Sequence, residues 1–89
     1  MTLTLYGIRD LNPAEVARSI IADVAREHDV TREEILSRSN PMRIVTARHD
    51  AMHRVRQELG WSYERIGRLF NRDHSTVLAA VRKTKEGAA

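Results

Sequence analysis

Apolar residues recur every three or four positions along most of the chain, and this spacing constrains the fold more than any other feature. Such spacing puts the apolar side chains on one face of a helix, whereas a strand alternates strictly. Four blocks show it, over residues 16–24, 51–59, 63–70 and 77–81, and an apolar pair stands at residues 35–36. The pattern predicts an all-α fold of five helices packed through their apolar faces.

Capping residues mark where these helices begin and end. Asn12, Thr31, Ser62 and Asp73 each precede an apolar block, and such side chains accept hydrogen bonds from the free amides of a first helical turn. Gly60 follows the third helix, as glycine often does after a helix end. The sequence predicts helices over residues 13–27, 32–36, 46–59, 63–70 and 74–85, with a polar loop over residues 37–41.

The chain length is that of one domain, which we place at residues 12–85. Residues 1–11 alternate Leu3 and Leu5 with polar residues, but no second strand is available to pair with them. We therefore predict a flexible N-terminal arm over residues 1–11. Residues 86–89 form a short tail in this division.

Several function classes do not fit the composition. The chain has no cysteine, which excludes a disulfide framework, a thiolate zinc site and a thiol nucleophile. It has no apolar run of about 18 residues that could cross a membrane. The first residues also lack the basic and apolar regions of a signal peptide. We expect a cytoplasmic protein with no membrane partner.

Positive charge is concentrated in the second half of the chain. Residues 1–42 hold five basic and seven acidic residues, whereas residues 43–85 hold ten basic and four acidic residues. A basic half of this kind attracts polyanions such as nucleic acids.

The two C-terminal helices are short and are separated by three residues, Asn71, Arg72 and Asp73. This spacing is typical of a helix-turn-helix over residues 62–85, whose second helix inserts its first turn into the major groove. The side chains of that turn can contact base edges, and nearby basic side chains can contact phosphates. The candidate base readers are Asp73, His74, Ser75 and Thr76, and the candidate phosphate contacts are Arg72, Arg82 and Lys83. On these residues alone, a generic helical hairpin in which Asp73 only caps stays open.

A resemblance separates these alternatives. Residues 72–78 read Arg-Asp-His-Ser-Thr-Val-Leu, with Ile66-Gly67 ahead and Arg82-Lys83 behind. This run resembles the recognition-helix signature of the C-terminal DNA-binding domain of the bacterial replication initiator DnaA, and the resemblance covers about residues 14–85. It implies base reading by residues 73–76, backbone contacts by Ser62 and Tyr63, and minor-groove or phosphate contacts by Arg43, Arg48 and His49.

The chain departs from this family at two places. The family has two glycines before its Arg-Asp-His, whereas this chain has only Asn71, so its turn is one residue shorter. The family's Pro-Arg-Gln at the third helix corresponds here to Arg48-His49-Asp50, and Asp50 would repel a phosphate. The resemblance therefore implies the same binding mode without implying the same target sequence.

Other motifs have simpler interpretations. His49 and His53 stand four residues apart with Asp50 between them, which approaches a zinc-protease motif, but Asp is shorter than the usual Glu and no third ligand is evident. We expect no metal, no cofactor and no enzymatic activity. The aromatic residues Trp61, Tyr63 and Phe70 are expected in the core rather than in a base-stacking platform. Arg54, Arg56 and Arg65 are interpreted as a solvated face rather than a phosphate track.

These observations predict a protein that binds double-stranded DNA sequence-specifically and is associated with the nucleoid. Because the family's ATPase portion does not fit in 89 residues, we expect a transcription regulator or activator of phage-like or mobile-element genes without ATPase activity. One alternative is a replication-control protein that competes for initiator sites. Another is a protein-interaction module that contacts RNA polymerase or another regulator. A homodimer and membership of a larger chain both stay open.

Overall fold

A computed structural model describes residues 12–88 of the chain, with side-chain surroundings for residues 12–83. All regular structure in this part of the chain is helical, which confirms the predicted all-α fold class. The helices are α1 (Pro13–His28), α2 (Arg32–Leu36), α3 (Met42–Leu59), α4 (Tyr63–Phe70) and α5 (His74–Ala88). The predicted arm over residues 1–11 lies outside the described residues. Helix α5 continues to Ala88, past the predicted end at residue 85.

Local hydrogen bonds start the first two helices as the sequence indicated. The Asn12 side chain accepts a 2.9 Å hydrogen bond from the Glu15 amide at the start of α1. At α2, the Thr31 hydroxyl accepts from the Glu34 amide and the Glu34 carboxylate accepts from the Thr31 amide. These contacts satisfy amides that have no partner within the helix, so the cap positions follow from sequence.

Helix α3 begins at Met42, four residues before the predicted start. No side chain caps this end, and the carbonyl of Pro41 accepts from the amides of Ile44 and Val45 instead. The early start buries Ile44, which the sequence reading left out of the core. The helix ends at Gly60 with a left-handed φ of 66°, as predicted.

Helix α3 is the centre of the fold and packs against all four other helices. Most predicted core positions of α1, α3 and α5 are buried, as are Trp61, Ile66 and Phe70 around α4, whereas Leu59 and Leu78 are only partly buried. In α2, 40% of the Leu36 surface is exposed, and only its neighbour Ile35 enters the core. Tyr63 and Leu69 are partly buried and pack on the rim of the core.

The α4–turn–α5 unit has the predicted start at Ser62 and the predicted turn over residues 71–73. The Ser62 hydroxyl accepts from the Arg65 amide at the start of α4. The helix ends at Asn71 with a left-handed φ of 57°, and the Arg72 amide donates to the Gly67 carbonyl at 2.8 Å. The turn passes so close to Gly67 that a Cβ there would lie 2.3 Å from the Arg72 carbonyl oxygen. A side chain at position 67 would therefore push the turn away from α4.

Among the described residues, no helix is both long and apolar enough to cross a membrane.

Candidate nucleic-acid interface

The opening turn of α5 is an exposed row of polar side chains. Asp73, His74, Ser75 and Thr76 are all exposed, whereas Val77 directly after them is fully buried. Val77, Ala80 and Val81 hold the opposite face of the helix in the core. The core therefore fixes the helix while its first turn projects into solvent, as a recognition helix must.

The hydrogen bond described at this turn joins backbone atoms. Among the hydrogen bonds of residues 12–83, none involves the side chains of residues 73–76. A cap by the Asp73 carboxylate is not among these bonds, and the Asp73 carbonyl joins the helix by accepting from the Val77 amide at 3.1 Å. Exposed donors and acceptors of this kind are free to contact another molecule.

A groove runs beside the opening turn, between the α2–α3 loop, the outer face of α4 and the start of α5. Its lining includes Arg38, Glu64, Arg68, Arg72, His74 and Thr76. Arg38 and Arg68 are exposed and were not among the predicted contact residues. Glu64, Arg68 and Arg72 follow one another at four-residue spacing, which could have indicated that they line one side of the groove. Only the fold brings the loop residue Arg38 to the same groove.

Arg48 does not lie at the surface, and its predicted contact with DNA is wrong. Only 4% of its surface is exposed. Its Nε donates to the Ile35 carbonyl at 2.6 Å, and its Nη2 lies within 3.1 Å of the carbonyl oxygens of Glu34, Ser37 and Ser39. The last carbonyls of α2 have no partner within the helix, and the buried Arg48 guanidinium donates to them. This guanidinium is therefore not accessible to a phosphate.

Arg72 is half-buried and is also engaged within the domain. Its Nη2 donates to the Ser37 carbonyl at 2.9 Å, and its Nη1 donates to the Asn71 carbonyl at 3.3 Å. The residue lies in the turn, as predicted, but its guanidinium points to the α2–α3 loop.

Ser62 and Tyr63 lie at the start of α4 as the sequence indicated. Ser62 is exposed and caps the helix, and the ring of Tyr63 lies 4.6 Å from the Arg56 guanidinium carbon. Arg56 also donates to the Trp61 carbonyl at 2.7 Å. The guanidinium of Arg65 covers the Trp61 ring at 3.9 Å. Arg56 and Arg65 therefore pack on aromatic rings, and of the two only Arg65 is exposed as the predicted solvated face requires.

Four further predicted residues lie on α3 and α5. Arg43 is exposed at the start of α3, where its Nη2 lies 3.9 Å from a Glu34 carboxylate oxygen. Arg82 and Lys83 are exposed on α5. His49 is half-buried, and this burial lowers its pKa, with a further decrease from the positive charges of Lys83 and Arg48.

Asp50 belongs to an ion-pair cluster between α1 and α3. Its carboxylate lies 2.9 Å from His28 Nε2 and 3.1 Å from Arg54 Nη2. Arg54 also pairs with Glu27, whose hydrogen bond raises the pKa of Arg54 above its usual value. Asp50 is thus neutralised by neighbours on the domain itself. Within the described residues, no three His, Cys, Asp or Glu side chains group as metal ligands would.

Comparisons with known proteins point to one family. The family model described as the bacterial dnaA protein helix-turn-helix matches residues 17–84. Chromosomal replication initiator protein DnaA 1 of Chlamydia pneumoniae is 48% identical over 63 residues, covering 71% of this chain and 14% of the relative. DnaA 2 of Chlamydia caviae is 41% identical over 81 residues, covering 86% of this chain and 17% of the relative. DnaA of Rhodopseudomonas palustris is 42% identical over 84 residues, covering 88% of this chain and 18% of the relative.

The chain spans less than a fifth of the length of these relatives. No solved structure matches it significantly. The family match covers the whole of α2, α3 and α4 and most of α1 and α5. The chain therefore belongs to the bacterial DnaA helix-turn-helix family and is a DNA-binding domain of that type.

Proposed function

We propose that this chain binds duplex DNA sequence-specifically by inserting the opening turn of α5 into the major groove. The observation that carries the proposal is the row of four exposed polar side chains with no partner among the described residues, on a helix whose opposite face is buried. Polar groups on a rigid helix lose little freedom when they contact a base, which favours selective binding.

The chemistry of residues 73–76 suits base edges. The Asp73 carboxylate can accept from a cytosine amino group, and the hydroxyls of Ser75 and Thr76 can donate or accept. His74 and the Thr76 methyl group can also contact a thymine methyl group. Because the Asp73 carboxylate takes part in none of the hydrogen bonds described for residues 12–83, both of its oxygens are available to a base.

The phosphate contacts follow from the exposed basic residues around this turn. Arg43, Arg82 and Lys83 provide charge, and Ser62 and Tyr63 place the first amides of α4 towards a phosphate. His49 lies beside Lys83 and completes this set. Arg48 is left out because its guanidinium is buried and bonded to carbonyls.

The relatives are named chromosomal replication initiators, and this favours a role at DNA sites of the kind that initiators bind. The replication-control alternative therefore becomes the proposed role, and we propose that these 89 residues bind without ATP. The names of the relatives give no such support to a transcription regulator of phage-like genes, to an RNA polymerase partner or to a homodimer, and the proposal does not include them.

An unbiased selection from random duplexes at a stated salt concentration tests this proposal. We expect enrichment of one site, and protection of its major groove when the selected duplex is footprinted. His74→Ala serves as the matched variant, which should lose the enrichment while binding random duplex as before. Enrichment of a site unlike those of the relatives would support the transcriptional role instead. Equal binding to all duplexes would contradict the proposal.

A further inference from the structure

We propose that Arg48 and Arg72 are positioning residues that hold Arg38 beside the opening turn of α5. Both donate to the same acceptor, the carbonyl oxygen of Ser37, and both N–O distances are 2.9 Å. The α2–α3 loop and the recognition helix then contact DNA as one rigid surface. This inference rests on the proposed function and adds Arg38 as a contact of that same interface.

Hydrogen bonds hold the loop backbone on both sides of Arg38. Arg48 Nη2 donates to the carbonyls of Ser37 and Ser39, the two residues that flank Arg38. The Ser37 hydroxyl donates to the Glu34 carbonyl at 2.7 Å and accepts from the Ser39 amide at 3.1 Å. The backbone around Arg38 is therefore held in one conformation, although the segment has no regular structure.

Arg72 links this loop to the turn between α4 and α5. Arg72 directly precedes Asp73, the first of the four proposed base readers. Its hydrogen bond to Ser37 joins residues 35 positions apart in sequence. The bond sets the distance between the loop and the start of α5, so a shift of the loop would require this bond to break.

Electrostatics indicate that this arrangement does more than stabilise the fold. Two positively charged guanidinium groups share one carbonyl, and none of the ion pairs of residues 12–83 includes either of them. Burial lowers the pKa of Arg48, and the charge of Arg72 lowers it further, so the two groups repel each other. A polyanion bound at this face would offset that repulsion. Lysine could not replace either residue, because only the planar guanidinium fork donates in several fixed directions.

The consequence is the position of Arg38. Its side chain is exposed and lines the groove together with His74 and Thr76. The backbone of Arg38 is already ordered, so a contact from its side chain to a DNA phosphate avoids the cost of ordering a loop. Arg38 and the opening turn of α5 would therefore contact one duplex at a fixed distance from each other.

A double-mutant cycle on the 89-residue chain tests this inference. Dissociation constants for the selected duplex are measured across a salt series for the wild type, Arg38→Ala, Arg48→Lys and the double variant. We expect each single variant to bind roughly tenfold more weakly and to lose about 0.9 from the slope of log K against log salt, the value for one phosphate contact. The double variant should bind no more weakly than Arg38→Ala.

The salt slope distinguishes positioning from simple destabilisation. Arg48→Lys keeps the charge, so a lower slope means that Arg38 has lost its phosphate. Arg18→Ala, which removes a charge from the exposed face of α1, controls for net charge and should leave the slope unchanged. If Arg48→Lys does not fold, Arg72→Lys replaces it in the double-mutant cycle, because Arg72 is only half-buried.

Two results would overturn the inference. One is a double variant whose loss equals the product of the two single losses, because Arg48 would then act independently of Arg38. The other is an unchanged salt slope in the folded Arg48→Lys or Arg72→Lys variant. In either case a selective effect of His74→Ala would leave the proposed function intact, whereas a wild type without duplex selectivity would remove the proposed function itself.

Discussion

Two polar regions of this domain use similar residue types in opposite ways. Where α1, α2 and α3 meet, Arg48, Asp50 and Arg54 are all engaged by carbonyls or opposite charges. In the opening turn of α5, residues 73–76 are exposed and their side chains form none of the hydrogen bonds described for the domain. Satisfied polar groups contribute to the stability of a fold, whereas exposed and unsatisfied ones are available to a ligand. The comparison predicts that substitutions in the two regions change different measurable properties.

The largest effect is expected from Arg48→Ala. The substitution leaves the carbonyls of Glu34, Ile35, Ser37 and Ser39 without this donor, partly in the interior, and should lower the free energy of unfolding by about 3 kcal/mol. Urea unfolding measures this loss. Arg18→Ala, an exposed arginine on α1, should change stability by less than about 0.5 kcal/mol. Equal stabilities for the two variants would show that the buried Arg48 guanidinium does not contribute to the free energy of unfolding.

His74→Ala should have the next largest effect, and only on binding. We expect the selected duplex to be bound about 1–3 kcal/mol more weakly, with random duplex unaffected, because a base contact is lost and no phosphate contact is. Binding titrations at constant salt on both duplexes measure the difference. Unfolding in urea should match that of the wild type. A comparable loss on random duplex would reassign His74 to the phosphate contacts and weaken the comparison.

Asp50→Asn should have a smaller effect, confined to stability. The variant keeps the shape of the side chain but removes the charge that Arg54 and His28 approach, at a cost of about 1 kcal/mol. Thermal unfolding detects this as a lower Tm, and affinity for the selected duplex should be unchanged. A gain in affinity would mean that Asp50 repels phosphates despite its neighbours, as the sequence alone suggested.

The smallest effect concerns His49 on α3, which lies near Lys83 of α5. Its folded-state pKa is below the usual 6.5, because of burial and then of Lys83 and Arg48. The unfolded state therefore binds more protons, and the free energy of unfolding falls as the pH drops below 6.5 and levels off below the folded pKa. His49→Gln should remove this part of the dependence between about pH 7.5 and pH 5.5 in urea unfolding. An unchanged pH dependence in the variant would show that His49 titrates normally.

Most of the helix boundaries could be predicted because their causes are local. The caps at Asn12, Thr31 and Ser62 and the glycine end at Gly60 depend on residues within one turn of the helix. The start of α3 could not be predicted in this way, because Pro41 offers no side-chain cap and the burial of Ile44 depends on distant helices. The sequence shows Ile35 and Leu36 only as an apolar pair, and the five-residue helix α2 buries just Ile35.

The candidate site was predictable where it lies on one short segment. Residues 73–76 follow directly from the turn and from the buried Val77, so their exposure could be inferred from periodicity. The roles of the arginines could not be inferred. Arg48 was predicted as a DNA contact and is buried, whereas Arg38 was left out and lines the groove.

The sequence by itself determined the number and order of the helices, their core faces and the residues that α5 presents in its first turn. The tertiary structure alone decided which of the many arginines are available to DNA. The acceptors of Arg48 lie 9 to 14 residues away and the Ser37 carbonyl lies 35 residues from Arg72. Helix caps and periodicity act over a few residues, whereas a guanidinium bonds to whatever carbonyl or carboxylate the fold brings within about 3 Å.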